Sequence, residues 1–112
     1  MKKYFNWKLY QDNELIEEYK NKSIVNNKYL INDDLFLEKQ NNTYLLYKKE
    51  KEYELVLDFA EKNGHYIYYE EDIKLTIELF NLKVIDKDNI LTIIYSLDED
   101  SLQFKIIIEK KA

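Results

Sequence analysis

The sequence predicts an all-β domain in which an antiparallel meander of about eight to nine strands closes into a barrel, with a sandwich as the other all-β arrangement. Apolar and polar residues alternate along most of the 112-residue chain, and short polar breaks recur at roughly ten-residue spacing. Eleven tyrosines in so short a chain favour pleated strands. The chain has no proline to protect an edge strand, which favours closure. The length argues for one domain, 1–112.

Four segments alternate most clearly, and each gives one apolar face. The residues expected to point inward are Phe5, Trp7 and Leu9, then Tyr53, Leu55, Leu57 and Phe59, then Ile73, Leu75, Ile77 and Leu79, and finally Leu102, Phe104, Ile106 and Ile108. Weaker strands are expected at 24–31, 35–39, 43–49 and 65–70. Together these segments supply the strands of the meander.

Polar breaks of hairpin length separate these segments. Asn63-Gly64 is the strongest short hairpin signal, and it joins 53–60 to 65–70. Further breaks occur at 39–43, 86–89 and 98–101. Asn and Asp tolerate left-handed backbone conformations, so they can replace glycine, which the chain contains only once.

Residues 12–22 fit two structures. Leu15, Ile16 and Tyr19 have helical spacing, with Asp12 or Asn13 as an N-cap. The same segment can form a strand that pairs back on residues 2–10. The second structure is favoured, and a helix would instead cap one end of the barrel.

The hairpin at 90–108 is apolar on both faces of its first strand. Leu91, Ile93, Tyr95 and Leu97 line one face, whereas Ile90, Thr92 and Ile94 line the other. A barrel strand should need only one apolar face, so the second face requires a cover such as a partner, a second copy or a packed segment.

Composition excludes several classes of function. The net charge is −5, and all 17 basic residues are lysine, so the forked guanidinium that reads guanine and phosphate is absent. We therefore expect no nucleic-acid binding. Without cysteine there is no disulfide, thiolate metal site or cysteine nucleophile. No apolar stretch approaches a secretory leader or membrane helix, so a cytoplasmic protein without a membrane partner is expected.

The order of several motifs resembles a known family. "NELIEEYKN", "NTYLLYKKE" and "LTIIYSL…FKIIIE" resemble the YwiB-like family of small bacterial proteins of unknown function. The most specific match is 91–97, with Tyr95 at the position of the family's tyrosine, and the next is 44–50. The resemblance implies a calycin-like, lipocalin-type β-barrel and implies no reaction. The chain departs from the family by a shorter segment around 61–72 and by Asn26 and Asn27 before the third strand.

No motif of catalysis or cofactor binding stands out. His65 is the single histidine and lacks a partner at a recognisable spacing, so a hairpin histidine is expected. The acidic tracts at 86–88 and 98–100 lack the central glycine and distant glutamate of a calcium loop. A single glycine cannot form a phosphate loop. We therefore expect no enzyme, no cofactor and no metal.

Two hypotheses for function remain. In the first, the protein is an interaction or homodimerising module, with its interface at Ile90, Ile94 and Ile107, joined by Tyr66 and Tyr68. In the second, the barrel binds a small apolar ligand. The residues expected to bind that ligand are Trp7, Tyr53, Ile93, Tyr95 and Phe104, with Leu91 and Ile106 beside them. The second hypothesis needs an interior that side chains do not fill, with an open cavity of about 300 Å³ or more.

Overall fold

The computed structural model describes residues 3–41, 43–99 and 102–111, and it shows an antiparallel meander. In chain order the strands are β1 Lys3–Gln11, β2 Glu14–Val25, β3 Lys28–Asn32, β4 Leu35–Gln40, β5 Thr43–Lys49, β6 Tyr53–Asp58, β7 Asn63–Tyr68, β8 Ile73–Glu78, β9 Phe80–Lys87, β10 Ile90–Ser96 and β11 Gln103–Lys111. All eleven form one sheet, in the order β8-β7-β6-β5-β4-β3-β2-β1-β11-β10-β9. The all-β prediction is confirmed, with more strands than the eight or nine expected.

The sheet forms a nearly closed barrel, and its two edge strands follow one another directly along the chain. The edge strands β8 and β9 are joined by Leu79 alone, and Asn81 has a positive φ of 53° just after this junction. The chain therefore passes from one edge of the sheet to the other within a few residues. Two of the residues expected inside this region are exposed, since Ile73 is 39% and Leu75 is 55% accessible. Their expected burial is wrong because they lie on an edge strand that has a neighbour on one side only.

The ambiguous segment is a strand. β2 pairs with β1 from Lys3 opposite Ile24 to Gln11 opposite Glu14, with two bulges. Asn21 lies at the first bulge with a φ of 56°, and its backbone N–H donates to Oδ1 of Asn6 at 3.0 Å. Cross-strand pairing along the whole segment thus outweighs its helical spacing, and the favoured strand is confirmed.

Asparagine and aspartate replace glycine in the tight turns, as expected. Both central residues have positive φ at Asp12-Asn13, at Asn26-Asn27 and at Asp88-Asn89. Paired positive φ angles suit the twist of two-residue hairpins. The Asn26-Asn27 turn divides the expected strand at 24–31 between β2 and β3, so that single strand is wrong.

The strongest hairpin signal marks the correct hairpin but the wrong turn residues. Asn63 and Gly64 are the first residues of β7, opposite Asp58 and Leu57. The turn lies at 59–62, where Oδ1 of Asp58 accepts hydrogen bonds from the backbone N–H groups of Ala60 and Glu61 at 2.9 and 3.1 Å. The Asp58 carboxylate satisfies these two amides, so the turn forms before Asn63 and does not contain the Asn63-Gly64 pair.

The core lies inside the barrel and draws on strands from every part of the sheet. Its largest fully buried side chains are Trp7, Phe5, Ile31, Leu37, Leu91, Ile93, Ile106 and Ile108. Leu102, which was expected to be buried, is 45% exposed because it precedes β11 in the loop after β10. Alternation therefore identifies the core correctly in the central strands and fails at the edge strand β8 and in the loop before β11.

Candidate ligand cavity

An apolar cavity of about 280 Å³ lies within the barrel, and we call it the Trp7 cavity. It is lined by Trp7, Leu9, Glu17, Leu35, Leu46, Lys48, Leu55, Leu57, Tyr95, Leu97, Phe104 and Ile106. Strands β1, β2, β4, β5, β6, β10 and β11 all contribute to this lining. Trp7 and Ile106 are buried, whereas Leu97 is 45% exposed, so the cavity extends from the core towards the surface near Leu97.

Two polar atoms of the cavity lining have no hydrogen-bond partner within the described part of the chain. They are Nε1 of Trp7 and Oε1 of Glu17, and both are buried. Trp7 as a whole is only 1% exposed. Burial of an unpaired polar group is costly, and more so when the group is charged. These two atoms are therefore the groups of the cavity that most need a partner.

Lys48, the other charged residue of the lining, is already engaged. It hydrogen-bonds to Tyr53, and its Nζ lies 4.0 Å from Oε1 of Glu50. Desolvation lowers the pKa of Lys48, but the hydrogen bond to Tyr53 and the charges of Glu50 and Glu17 outweigh it, so the net shift is upward. Lys48 consequently stays protonated at neutral pH.

Aromatic rings form one wall of the Trp7 cavity. The ring of Tyr95 stacks on Phe104 at a centroid distance of 5.4 Å and lies 5.6 Å from Phe59 in a tilted arrangement. Burial raises the pKa of the Tyr95 phenol, which therefore remains neutral. This wall is a rigid apolar surface suited to packing against a hydrocarbon or a second ring.

The structure brings together three of the five residues expected to bind a ligand. Trp7, Tyr95 and Phe104 line the cavity. Ile93 is fully buried in the core, and Tyr53 stacks on Tyr66 at 5.2 Å beside the cavity. The sequence reasoning missed Glu17 and Lys48, which face inward because the register places them opposite Leu9 and Leu55. A charged residue in an alternating strand is expected to face outward, so the sequence does not indicate that Glu17 or Lys48 faces inward.

A separate polar cluster ties the barrel together at another place. The Tyr44 hydroxyl donates to Oδ2 of Asp86 at 2.7 Å, and Nζ of Lys110 lies 3.1 Å from Oδ1 of the same carboxylate. The hydrogen bond from Tyr44 lowers the pKa of Asp86 against an opposing desolvation effect, and the contact with Lys110 adds to the lowering. Burial, followed by the Asp86 bond, raises the pKa of Tyr44. All groups of this cluster satisfy one another, so it is a structural link between β5, β9 and β11.

The outward isoleucines form a patch across three neighbouring strands. Ile85 on β9 lies opposite Thr92 on β10, which lies opposite Ile107 on β11, while Ile90 and Ile94 flank Thr92. Ile85 and Ile90 are 50% and 42% exposed, whereas Ile94 and Ile107 are half-buried. We call these four side chains the isoleucine patch.

The two tyrosines expected to join this interface lie elsewhere. Tyr66 is opposite Leu55, and Tyr68 is opposite Tyr53, so the register places both on the inner face. Their expected outward orientation is wrong, because the hairpin turn at 59–62 sets a register that aligns them with the inward tyrosine and leucine of β6.

The remaining candidates for chemistry are dispersed. His65 is half-buried in β7, between Val56 and Thr76. Among residues 3–41, 43–99 and 102–111, no group of three histidine or acidic side chains is arranged to hold a metal ion. Asp100 of the acidic tract at 98–100 lies outside the described residues. Within those same ranges, there is no helix of the length and apolarity needed to cross a membrane.

Comparison with known proteins adds no relative. No protein-family model, no curated protein and no solved structure matches the chain. The arguments for function consequently rest on the geometry of the barrel and its cavity.

Proposed function

We propose that this barrel binds a small, largely apolar molecule in the Trp7 cavity. The observation that supports the proposal is the cavity itself, which is about 280 Å³ in volume and lined by apolar or aromatic side chains except at Glu17 and Lys48. Small barrels either fill their interior with side chains or hold one small ligand. Drug-sized ligands occupy pockets of about 300–1,000 Å³, whereas benzene enters an apolar cavity of about 150 Å³. A single substituted ring is the size of ligand that this volume suits.

The single tryptophan of the chain provides a direct test, because it lies in the cavity lining. We expect ethylbenzene to change the fluorescence of Trp7 in a saturable titration. In Leu55→Phe, a larger side chain occupies part of the cavity, and binding should weaken about tenfold or more. Leu75→Phe is the matched control, since Leu75 is an exposed leucine of β8 outside the lining.

The outcome separates binding from a nonspecific effect on the fluorescence. Equal titrations for Leu55→Phe and Leu75→Phe would show that the probe binds elsewhere. An unchanged spectrum of the parent protein up to the solubility limit of ethylbenzene, with no heat of binding, would overturn the proposal.

Self-association through the isoleucine patch is a second candidate function. It is favoured by the exposure of Ile85 and Ile90 on adjacent strands, next to the half-buried Ile94 and Ile107. Exposed apolar patches often mark protein interfaces, and twofold dimers are the commonest assembly. Sedimentation equilibrium tests it: a dimer is expected, and a monomer at every accessible concentration would contradict it.

A further inference from the structure

We infer that the ligand of the Trp7 cavity is an arylalkylamine, whose ammonium group binds Oε1 of Glu17 and whose ring carries an oxygen that accepts a hydrogen bond from Nε1 of Trp7. This inference rests on the proposed function and specifies the chemistry of its ligand. It follows from three features of the lining: an unpaired carboxylate oxygen, an unpaired indole N–H, and an aromatic wall beside them.

Glu17 selects a donor, and preferably a cationic one. Its side chain lies on the inner face of β2 opposite Leu9, and Oε1 is buried without a donor from the described residues. An ionised carboxylate only accepts hydrogen bonds, and the strongest come from charged donors. Lys48, the other charged residue of the lining, feels the charge of Glu17, but it is hydrogen-bonded to Tyr53 and lies beside Glu50. An ammonium group on the ligand would donate a hydrogen bond to Oε1 of Glu17 and leave the contacts of Lys48 unchanged.

Trp7 selects an acceptor in the part of the cavity next to Glu17. The indole Nε1–H is a donor only, so its partner must be an oxygen or another acceptor. Trp7 lies opposite Tyr19, and Glu17 is two residues from Tyr19 on the same strand. The backbones of residues in this diagonal relation are roughly 7–8 Å apart, so one small ligand can reach both side chains. One ring with a short alkyl chain is a molecule that can place a hydroxyl at one end of such a span and an amine at the other.

The apolar remainder of the lining suits the ring. Tyr95 and Phe104 form a stacked pair, and Leu46, Leu57 and Ile106 complete a surface without further charge. Aromatic rings gain stabilisation from such contacts beyond that of the area they bury. An aliphatic amine without a ring would forgo this contribution.

The test compares three probes that share one skeleton. We expect 2-phenylethylamine to bind at least about tenfold more tightly than ethylbenzene, because hydrogen bonds to charged groups are stronger than those between neutral groups. Tyramine, which adds a ring hydroxyl, should bind more tightly still. Calorimetry gives the affinities without depending on the tryptophan.

Two pairs of variants locate the contacts. In Glu17→Gln, the preference for 2-phenylethylamine over ethylbenzene should be lost while ethylbenzene still binds, which shows that the variant retains its cavity. Glu18→Gln is the matched control, because Glu18 is the adjacent, exposed residue near Lys8 and carries the same charge. In Trp7→Phe, the advantage of tyramine over 2-phenylethylamine should disappear, whereas Tyr19→Phe should preserve it.

The outcomes distinguish this inference from the proposed function. If ethylbenzene binds and 2-phenylethylamine binds no more tightly, the inferred amine ligand is wrong, but the proposed binding of an apolar molecule in the Trp7 cavity is retained. If the amine preference survives in Glu17→Gln, or the tyramine advantage survives in Trp7→Phe, the corresponding contact is wrong. If none of the three probes binds the parent protein, the proposed function fails together with the inference.

Discussion

The single glycine of the chain is required by space and not by backbone angle. Gly64 has no positive φ, and it lies in β7 opposite Leu57. A Cβ at this position would clash with the backbone oxygen of Val56 and would lie 2.9 Å from Cδ2 of Leu57. The sequence suggested a turn glycine, because asparagine-glycine pairs usually adopt turn conformations. Its actual role, a close approach of two strands, depends on a register that only the folded structure reveals.

Replacement of this glycine should therefore destabilise the protein. We expect Gly64→Ala to lower the free energy of unfolding by about 1–3 kcal/mol, the usual range for overpacking. Urea denaturation measures the change. The control is Thr76→Ala on the exposed face of the adjacent strand β8, which should change stability by no more than about 0.5 kcal/mol. Stabilisation by Gly64→Ala, the usual result at an unstrained site, would contradict the close contact.

At the scale of elements, the residue pattern predicted which segments form strands better than it predicted where those strands begin and end. Alternation identified the cores of β1, β6, β10 and β11, and the asparagine-rich breaks identified hairpins. The division at Asn26-Asn27 was missed because two polar residues between apolar ones also fit a continuous strand. The exposure of Leu75 was missed because edge and central strands have the same alternation. The alternation of apolar and polar residues shows which face of a strand is apolar, but the neighbours of the strand decide whether that face is covered.

The candidate site illustrates the same limit. Trp7, Tyr95 and Phe104 were predicted because large apolar residues at alternate positions must face inward. Glu17 could not be predicted, because its inward orientation follows from a register that bulges interrupt on either side. A cavity is also a property of packing: it depends on the volume that several strands together leave between them, which no single strand reports.

The polar cluster around Asp86 links strands that are distant in sequence, and it makes stability depend on pH. The pKa of Asp86 is lowered from its ordinary value of 3.8, chiefly by the Tyr44 hydrogen bond. The ionised carboxylate therefore stabilises the folded state above that value, and the contribution is lost as pH falls through the lower pKa of the folded protein. Because the Asp86 side chain is 34% exposed, solvent screening limits the effect to about 1 kcal/mol or less.

Asp86→Asn tests this linkage. We expect the variant to be less stable than the parent protein at pH 7, with the difference shrinking below about pH 4 as Asp86 of the parent becomes protonated. Urea midpoints measured from pH 7 to pH 2 give the comparison. The control, Asp88→Asn, removes the same charge from an exposed aspartate of the β9–β10 turn, and the pH dependence of the Asp86→Asn difference should exceed that of the control. A constant difference for Asp86→Asn would refute the link to Tyr44 and Lys110.

At the scale of the whole molecule, the two faces of β10 have different surroundings. Leu91, Ile93 and Tyr95 are buried in the barrel, whereas Ile90 and Ile94 point outward in the isoleucine patch. The barrel therefore accounts for one apolar face of the hairpin, and the proposed self-association would account for the other. The Trp7 cavity and the isoleucine patch lie on opposite faces of the same strand, so the proposed ligand binding and the proposed self-association do not exclude each other.

Charge placed in the isoleucine patch should prevent self-association. Ile90→Lys puts a cation next to Lys87 and, in a twofold dimer, introduces it twice. Because like charges brought together at an interface cost several kcal/mol, we expect dimer affinity to fall by about tenfold or more. Leu30→Lys adds the same charge at an exposed leucine of β3, four strands away from β10 in the sheet, and should leave the dimer intact. Sedimentation equilibrium of the three proteins decides the matter: equal weakening by both substitutions would indicate a general effect of charge, and equal dimerisation of all three would place the interface elsewhere.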